Sequence, residues 1–357
     1  MKRSLSSTVR LLPTFLAAVV GGLLFDALSF PLPWVLGSMA AVLLLKAVRP
    51  PAARLPATLK NGALVVLGIV FGLQFSLDTI RQVAPFLLPY MAVTVSMIAC
   101  CVGLGAWFAR WTKTDAVSSV FGFIPGGLTE MVVTGQAVGA KPGTVVFLQT
   151  LRLLSVLSVV PFLVAWWFRA GSAPPLAAAP IGAPLSASPT AALWYALPIA
   201  LAYLLRKAVP ASYVLVTMLL TAALHIAGAT LYAVPSVALV AAQLVVGAGL
   251  GESVAFDELR AVGKQWLRAL ALVAAMLAIA MGLGGALHLA TGMDLPEALL
   301  SVAPGGLIEM ALTASSIGAD AAVVTSLQMV RLYTILGAVP FLLKWWFEKR
   351  RRRETRR

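Results

Sequence analysis

"IPGGLTEMVVTG", residues 124–135, sets a proline, two glycines and a glutamate into a chain that is otherwise overwhelmingly apolar. It returns as "APGGLIEMALTA", residues 303–314. Proline removes a backbone donor and Gly-Gly permits a tight turn or an opened backbone. Irregular backbone of this kind survives at membrane depth only where it is buried in protein or lines a wet cavity. How these two stretches cross, or fail to cross, a bilayer decides the fold.

That a bilayer is involved follows from composition. Of 357 residues, 60% are hydrophobic and 11% charged, and the mean hydropathy is +0.94. A soluble domain carries roughly a quarter charged residues because its surface must meet water. Apolar segments recur along nearly the whole chain, near the length of about 20 residues that spans hydrocarbon as helix. The fold class is therefore an all-α polytopic membrane protein, since a β-barrel would show short alternating segments. The net charge of +14 sits in short loops and in the tail "EKRRRRETRR", residues 348–357. That placement is a topology signal or an anionic-lipid contact, and no segment outside the apolar spans is long enough to read nucleic acid. Cys100 and Cys101 are adjacent within one apolar segment, where cysteines behave as small hydrophobes. The first apolar run, after "MKRSLSSTVR", reads as a signal anchor.

An offset of 179 aligns Pro125 with Pro304 and holds without a gap to Phe168 and Phe347. The same offset joins Gly68 to Gly247, Gly72 to Gly251 and Asp78 to Asp257. One unit is thus used twice, over 11–168 and 190–347, with a Pro/Ala/Ser-rich linker at 169–189 and a basic tail at 348–357. The first copy has apolar elements near 11–28, 33–47, 61–75, 84–110, 115–138 and 142–168. Those of the second lie near 190–205, 211–228, 236–252, 265–290, 296–317 and 321–347.

Lysine and arginine collect on the cytoplasmic side. If all six elements cross, the repeats share one orientation, and seven basic residues fall outside against 18 inside. If the fifth enters and returns, the second repeat is inverted, and only Arg81 and Arg169 fall outside against 23 inside. The inverted model wins and places both termini in the cytoplasm. Arms of about 10 residues on either side of each PGG span about 15 Å, half a bilayer. That suits a re-entrant hairpin. A broken crossing helix is the alternative, and it keeps the inversion if a weaker element does not span. Inverted repeats with paired interrupted helices belong to secondary transporters, whose sites lie where the interruptions meet.

The candidate binding residues follow from that expectation. They are Pro125, Gly126, Gly127, Glu130, Thr134, Gln149 and Arg152, with Pro304, Gly305, Gly306, Glu309, Thr313, Gln328 and Arg331 as counterparts. Ionisable groups at such depth are costly and face a cavity or each other. Glu130 and Glu309 could bind a coupling cation or proton, with Arg152 and Arg331 neutralising them or holding an anionic group. Equally, each Glu and Arg could form a structural pair that pins the interruption to the next helix. Thr134 and Thr313 lie one turn beyond each glutamate, where a bond back to their own helix is the plainer role. The arm starting after Gly127 or Gly306 aims free N–H groups at the midplane, a ready anion site. His225 and His288 have no histidine counterparts, and no cluster has metal-ligand spacing. No catalytic residue, cofactor or metal is expected.

At the doubled "PGGLTEM…LQTLRL" and "PGGLIEM…LQMVRL" the sequence resembles the AbrB family of bacterial membrane proteins, in which a membrane domain is duplicated. The resemblance spans nearly the whole chain except linker and tail. "PLPWVLGSMAAVL" and "VPASYVLVTMLL" are also consistent with it. It implies a fold similar to cation/proton antiporters and anion transporters, in the bacterial inner (plasma) membrane. It also implies labels such as regulator of gene expression or ammonia monooxygenase. A monooxygenase needs copper or iron ligands, which this sequence does not offer, and DNA binding lacks a soluble domain. The expectation is a non-enzymatic secondary transporter or exporter of a small solute, an anion among the candidates, coupled to H⁺ or Na⁺. Its partners are the lipid bilayer, that solute and the ion, with no nucleic acid; a homodimer is compatible. The alternative is a membrane sensor that affects gene expression indirectly.

Overall fold

The computed structural model describes residues 2–48, 55–126, 128–168, 189–209, 211–254 and 265–354, without the side chains of 2–10, 128–130, 189, 340–341 and 344–354. Their architecture is all-helical. The first repeat contains α1 (Lys2–Ala27), α2 (Pro33–Val48), α3 (Ala57–Gly72), α4 (Leu77–Val83), α5 (Leu87–Thr112), α6 (Ala116–Phe123), α7 (Leu128–Ala137) and α8 (Pro142–Phe168). The second contains α9 (Ala196–Leu204), α10 (Ser212–Ile226), α11 (Ser236–Ser253), α12 (Gln265–Thr291), α13 (Leu295–Val302), α14 (Leu307–Ser316) and α15 (Ala321–Glu354).

Among the described residues, five helical stretches are long and apolar enough to cross a membrane. They are Leu77–Thr112, Pro142–Phe168, Ser236–Ser253, Gln265–Thr291 and Ala321–Val339. Four shorter apolar helices accompany them: Leu11–Ala27, Pro33–Val48, Ala57–Gly72 and Ser212–Ile226. The chain is a membrane protein on this pattern. The helices follow the apolar segments of the sequence, but α1 begins at Lys2, ahead of the first apolar run, and α15 continues to Glu354, past the sixth span into the tail; two further differences are local. Residues 77–83 form a separate helix, α4, because Ser76 and Thr79 make a reciprocal capping box ahead of it. The ninth helix is short, flanked by 3₁₀ turns at Pro189–Tyr195 and Leu205–Lys207. Most of the linker and the side chains of the tail lie outside the described residues.

Two compact units divide the chain, and each draws on both repeats. One comprises Met1–Ala84, Pro161–Val254 and Ala311–Val323; the other comprises Pro85–Val160, Ala255–Met310 and Val324–Arg357.

In the first unit, glycines bring helices of different repeats together. A β-carbon at Gly72 in α3 would stand 2.6 Å from the Met218 carbonyl in α10. One at Gly68 would stand 2.7 Å from the Val214 carbonyl. Numbers rise together, so α3 and α10 run parallel. The equivalent pair repeats this: Gly247 lies against Val35 and Ser38, and Gly251 against Met39 and Val42, so α11 runs parallel to α2. At one end, Lys60 near the start of α3 pairs with Glu252 near the end of α11, 2.7 Å apart. Therefore α3 and α11, the third elements of the two repeats, run in opposite directions. Lys46, near the end of α2, donates to the Glu252 and Val254 carbonyls at 2.5 Å each, joining the same cluster.

In the second unit, Arg268 near the start of α12 donates to the Trp111 carbonyl near the end of α5, at 3.1 Å. The fourth elements are thus antiparallel as well. Gly105 in α5 admits Val120 and Ser119 of α6, and Gly284 in α12 admits Leu299 and Ala298 of α13, one contact copied twice.

Candidate functional site

Each fifth element is two short helices separated by the PGG. Asp115 starts α6 by accepting from the Ser118 N–H at 2.8 Å. Its equivalent Asp294 precedes α13, where proline occupies the first turn. Beyond α6 and α13 the backbone makes a three-residue turn centred on the proline. The Gly126 N–H donates to the Ile124 carbonyl at 2.9 Å, and the Gly305 N–H to the Ala303 carbonyl at 2.8 Å. Methionine fills the inside of each turn. A β-carbon at Gly126 or Gly305 would stand 2.7 Å from the Cε of Met131 or Met310, and both methionines are fully buried. In the first repeat the chain then doubles back. The Lys141 N–H, just before α8, donates to the Ser118 hydroxyl in the first turn of α6 at 2.6 Å. A β-carbon at Gly135 in α7 would stand 3.3 Å from the Phe121 ring in α6.

The last turn of a helix leaves carbonyls without intrahelical partners. Here the following span supplies the donors. Gln149 Nε2 donates to the Phe121 and Ile124 carbonyls at 2.8 and 2.9 Å, and Arg152 Nη1 to Ile124 at 2.7 Å. In the second repeat Gln328 Nε2 reaches the Leu300 and Ala303 carbonyls at 2.7 and 3.3 Å. Arg331 Nη1 donates to Val302 and Ala303 at 3.3 and 2.5 Å, and Nη2 to Gly305 at 3.0 Å. Arg331 Nη2 also donates to Gln328 Oε1. The carbonyls of Ile124 and Ala303 thus each gather three donors: glycine N–H, glutamine amide and guanidinium.

The copies differ in how completely they are satisfied. Arg331 makes four contacts. Arg152 makes one, and among the described residues neither its Nε nor Gln149 Oε1 has a hydrogen-bond partner, although both side chains are buried.

The remaining sequence candidates fall as follows. Gly127 and the Glu130 side chain lie outside the described residues, though Glu130 belongs to α7. Glu309 is buried, and its carboxylate folds back over Gly306, where a β-carbon at Gly306 would collide with it. This end of α14 therefore meets the protein's own carboxylate, in the manner of a capping glutamate at the third helical position. Thr134 in α7 is half-buried. Thr313 is fully buried and belongs to the other unit. His225 and His288 sit in the last turns of α10 and α12, with His288 Nδ1 2.6 Å from the Met293 carbonyl. No group of three metal-ligating side chains occurs among the described residues.

Two participants escape a reading of the sequence. Cys101, fully buried, interacts electrostatically with both Arg152 and Arg331, which also interact with each other. Both PGG interruptions, with the glutamine and arginine that cap each, belong to one compact unit. Tyr90, also fully buried, donates to the Ser301 carbonyl at 2.8 Å, in the helix that Arg331 caps. Cys101 reads as an ordinary apolar-segment residue in sequence because its charged neighbours come from spans far along the chain.

The family model described as transition state regulatory protein AbrB matches residues 34–347. The chain is 26% identical over 348 residues to the "Uncharacterized protein YhjN" of Bacillus subtilis (strain 168), covering 90% of this chain and 89% of that protein. It is 29% identical over 156 residues to the "Putative regulator AbrB" of Escherichia coli (strain K12), covering 43% of this chain and 44% of that protein.

Proposed function

The chain belongs to the AbrB family, and on that premise we propose that it is a secondary transporter or exporter of a small solute, coupled to H⁺ or Na⁺, in the bacterial inner membrane. Its two repeats have inverted topology, the PGG elements are re-entrant, and both termini face the cytoplasm. The observation that carries this reading is the convergence of two interrupted helices, each with a buried glutamine and arginine on its broken end, within one compact unit. Broken backbone of this kind at membrane depth belongs to ion and solute sites. Support for inversion comes from α3 against α11 and α5 against α12, equivalent elements that run in opposite directions. The distribution of Lys and Arg agrees. Support for re-entry comes from Ser118 and Lys141, which join the two ends of the first PGG element.

The purified protein in liposomes loaded with a pH-sensitive or a Na⁺-sensitive dye tests the reading. Addition of solutes from a panel of small carboxylates and amines should evoke proton or Na⁺ movement. A panel that evokes none, in vesicles that hold their gradient, sinks it. Flux unchanged by Glu130→Gln together with Glu309→Gln removes those two residues from coupling.

A second reading draws on the names of the family and of the Escherichia coli relative, which describe a regulatory family and a regulator. In it the protein is a membrane sensor whose basic tail contacts a cytoplasmic partner. Deleting residues 348–357 should then abolish an effect on gene expression while leaving ion flux intact.

A further inference from the structure

We infer that Gln149 and Arg152 form the solute-contacting half of the site, and that the solute is a small carboxylate with a hydroxyl or amino donor beside it. The inference rests on the reading of the paired interruptions as a solute site. It starts from residues that duplication made equivalent and the fold left unequal. In the second repeat the guanidinium of Arg331 is occupied by the Val302, Ala303 and Gly305 carbonyls and by Gln328 Oε1. Gln328 is satisfied through both its nitrogen and its oxygen. In the first repeat Arg152 reaches only the Ile124 carbonyl, while Nε and Gln149 Oε1 have no partner among the described residues. Arg152 is 5% exposed and Gln149 1% exposed.

Buried polar groups without partners are costly, and more so when charged. A spare guanidinium N–H calls for an anionic acceptor, for which carboxylate geometry is well matched. A spare amide oxygen calls for an N–H or O–H donor. One small molecule supplies both: a carboxylate with an adjacent hydroxyl or amino group. It would give Arg152 Nε an acceptor and Gln149 Oε1 a donor, the second being what Arg331 Nη2 supplies to Gln328 Oε1 in the other copy.

The test is thermal melting of the purified full-length protein with glycolate, glycine, acetate or methylamine. Glycolate or glycine should raise the melting temperature, acetate should need about tenfold more for the same shift, and methylamine should give none. Gln149→Leu, or Gln149→Met where that variant is not recovered, should reduce glycolate and glycine to the level of acetate. Gln149→Glu sets a carboxylate beside Arg152 and should abolish the response while raising the basal melting temperature. Gln328→Leu should keep the discrimination. Equal loss in the Gln149 and Gln328 variants, or no shift with any of the four probes, overturns the inference. Uptake of labelled glycolate or glycine into liposomes separates this from the transport reading. Binding that depends on Gln149 without uptake removes transport and leaves the assignment. Uptake equally sensitive to Gln149→Leu and Gln328→Leu removes the assignment and leaves transport.

Discussion

Arg152 and Arg331 occupy the same place in two copies of one sequence, yet removing them should have different consequences. Replacing Arg331 by methionine strips donors from the Val302 and Gly305 carbonyls and from Gln328 Oε1. Orphaned buried acceptors cost about 1–3 kcal/mol each. Replacing Arg152 by methionine leaves Ile124 with two other donors and removes an unpartnered Nε. Melting without added solute should therefore show Arg331→Met destabilised by about 2 kcal/mol or more and Arg152→Met by less than about 1 kcal/mol. Equal losses would contradict the asymmetry. The glycines of the turn are constrained from another direction. Alanine at Gly126 would press its β-carbon on Met131, and overpacking of this sort costs about 1–3 kcal/mol. A Met131→Ala change in the same chain should recover part of that loss. At this scale much was legible in the sequence, since the interruption is local chemistry of proline and glycine. The partners were not: Gln149 bonds carbonyls 28 and 25 residues away, and no spacing rule names them.

Helices in this protein meet through glycine where repeats exchange partners. Gly247 in α11 lies against Val35 and Ser38 of α2, whereas a β-carbon at Gly62 in α3 would meet nothing within 4 Å. Gly247→Leu should separate α11 from α2 and sharply lower the yield of monodisperse protein, while Gly62→Leu should be tolerated. Comparable losses would show that the close crossing does not matter. The fifth element depends on its closure as much as on its break. Ser118→Ala removes the acceptor for the Lys141 N–H, so hydrogen exchange should rise at the start of α8 with little change in α5. The positions of the elements were readable from apolar run lengths. Their pairing was not, because a glycine inside an apolar segment reads the same whether it faces lipid, as open space allows at Gly62, or a neighbouring backbone.

For the whole molecule the decisive quantity is the direction of the second repeat. Cysteines placed singly in the 170–189 linker should be labelled by an impermeant reagent from outside the cell, and a cysteine at Lys60 only after permeabilisation. Labelling of the linker from inside alone would sink the inverted arrangement. Composition, the 179-residue repeat and the placement of Lys and Arg determined by themselves that this is a duplicated, all-helical membrane protein with two interrupted elements. They could do so because hydropathy, helix breaking and charge asymmetry act on each segment separately. Only the tertiary structure decided that each compact unit mixes both repeats, and that the glutamine–arginine pairs cap the broken helices. It alone set Cys101 in the same compact unit as both arginines, and left one copy satisfied and the other with spare polar groups. Those outcomes depend on which surfaces meet in space, and two related sequences packed in different surroundings need not meet the same ones.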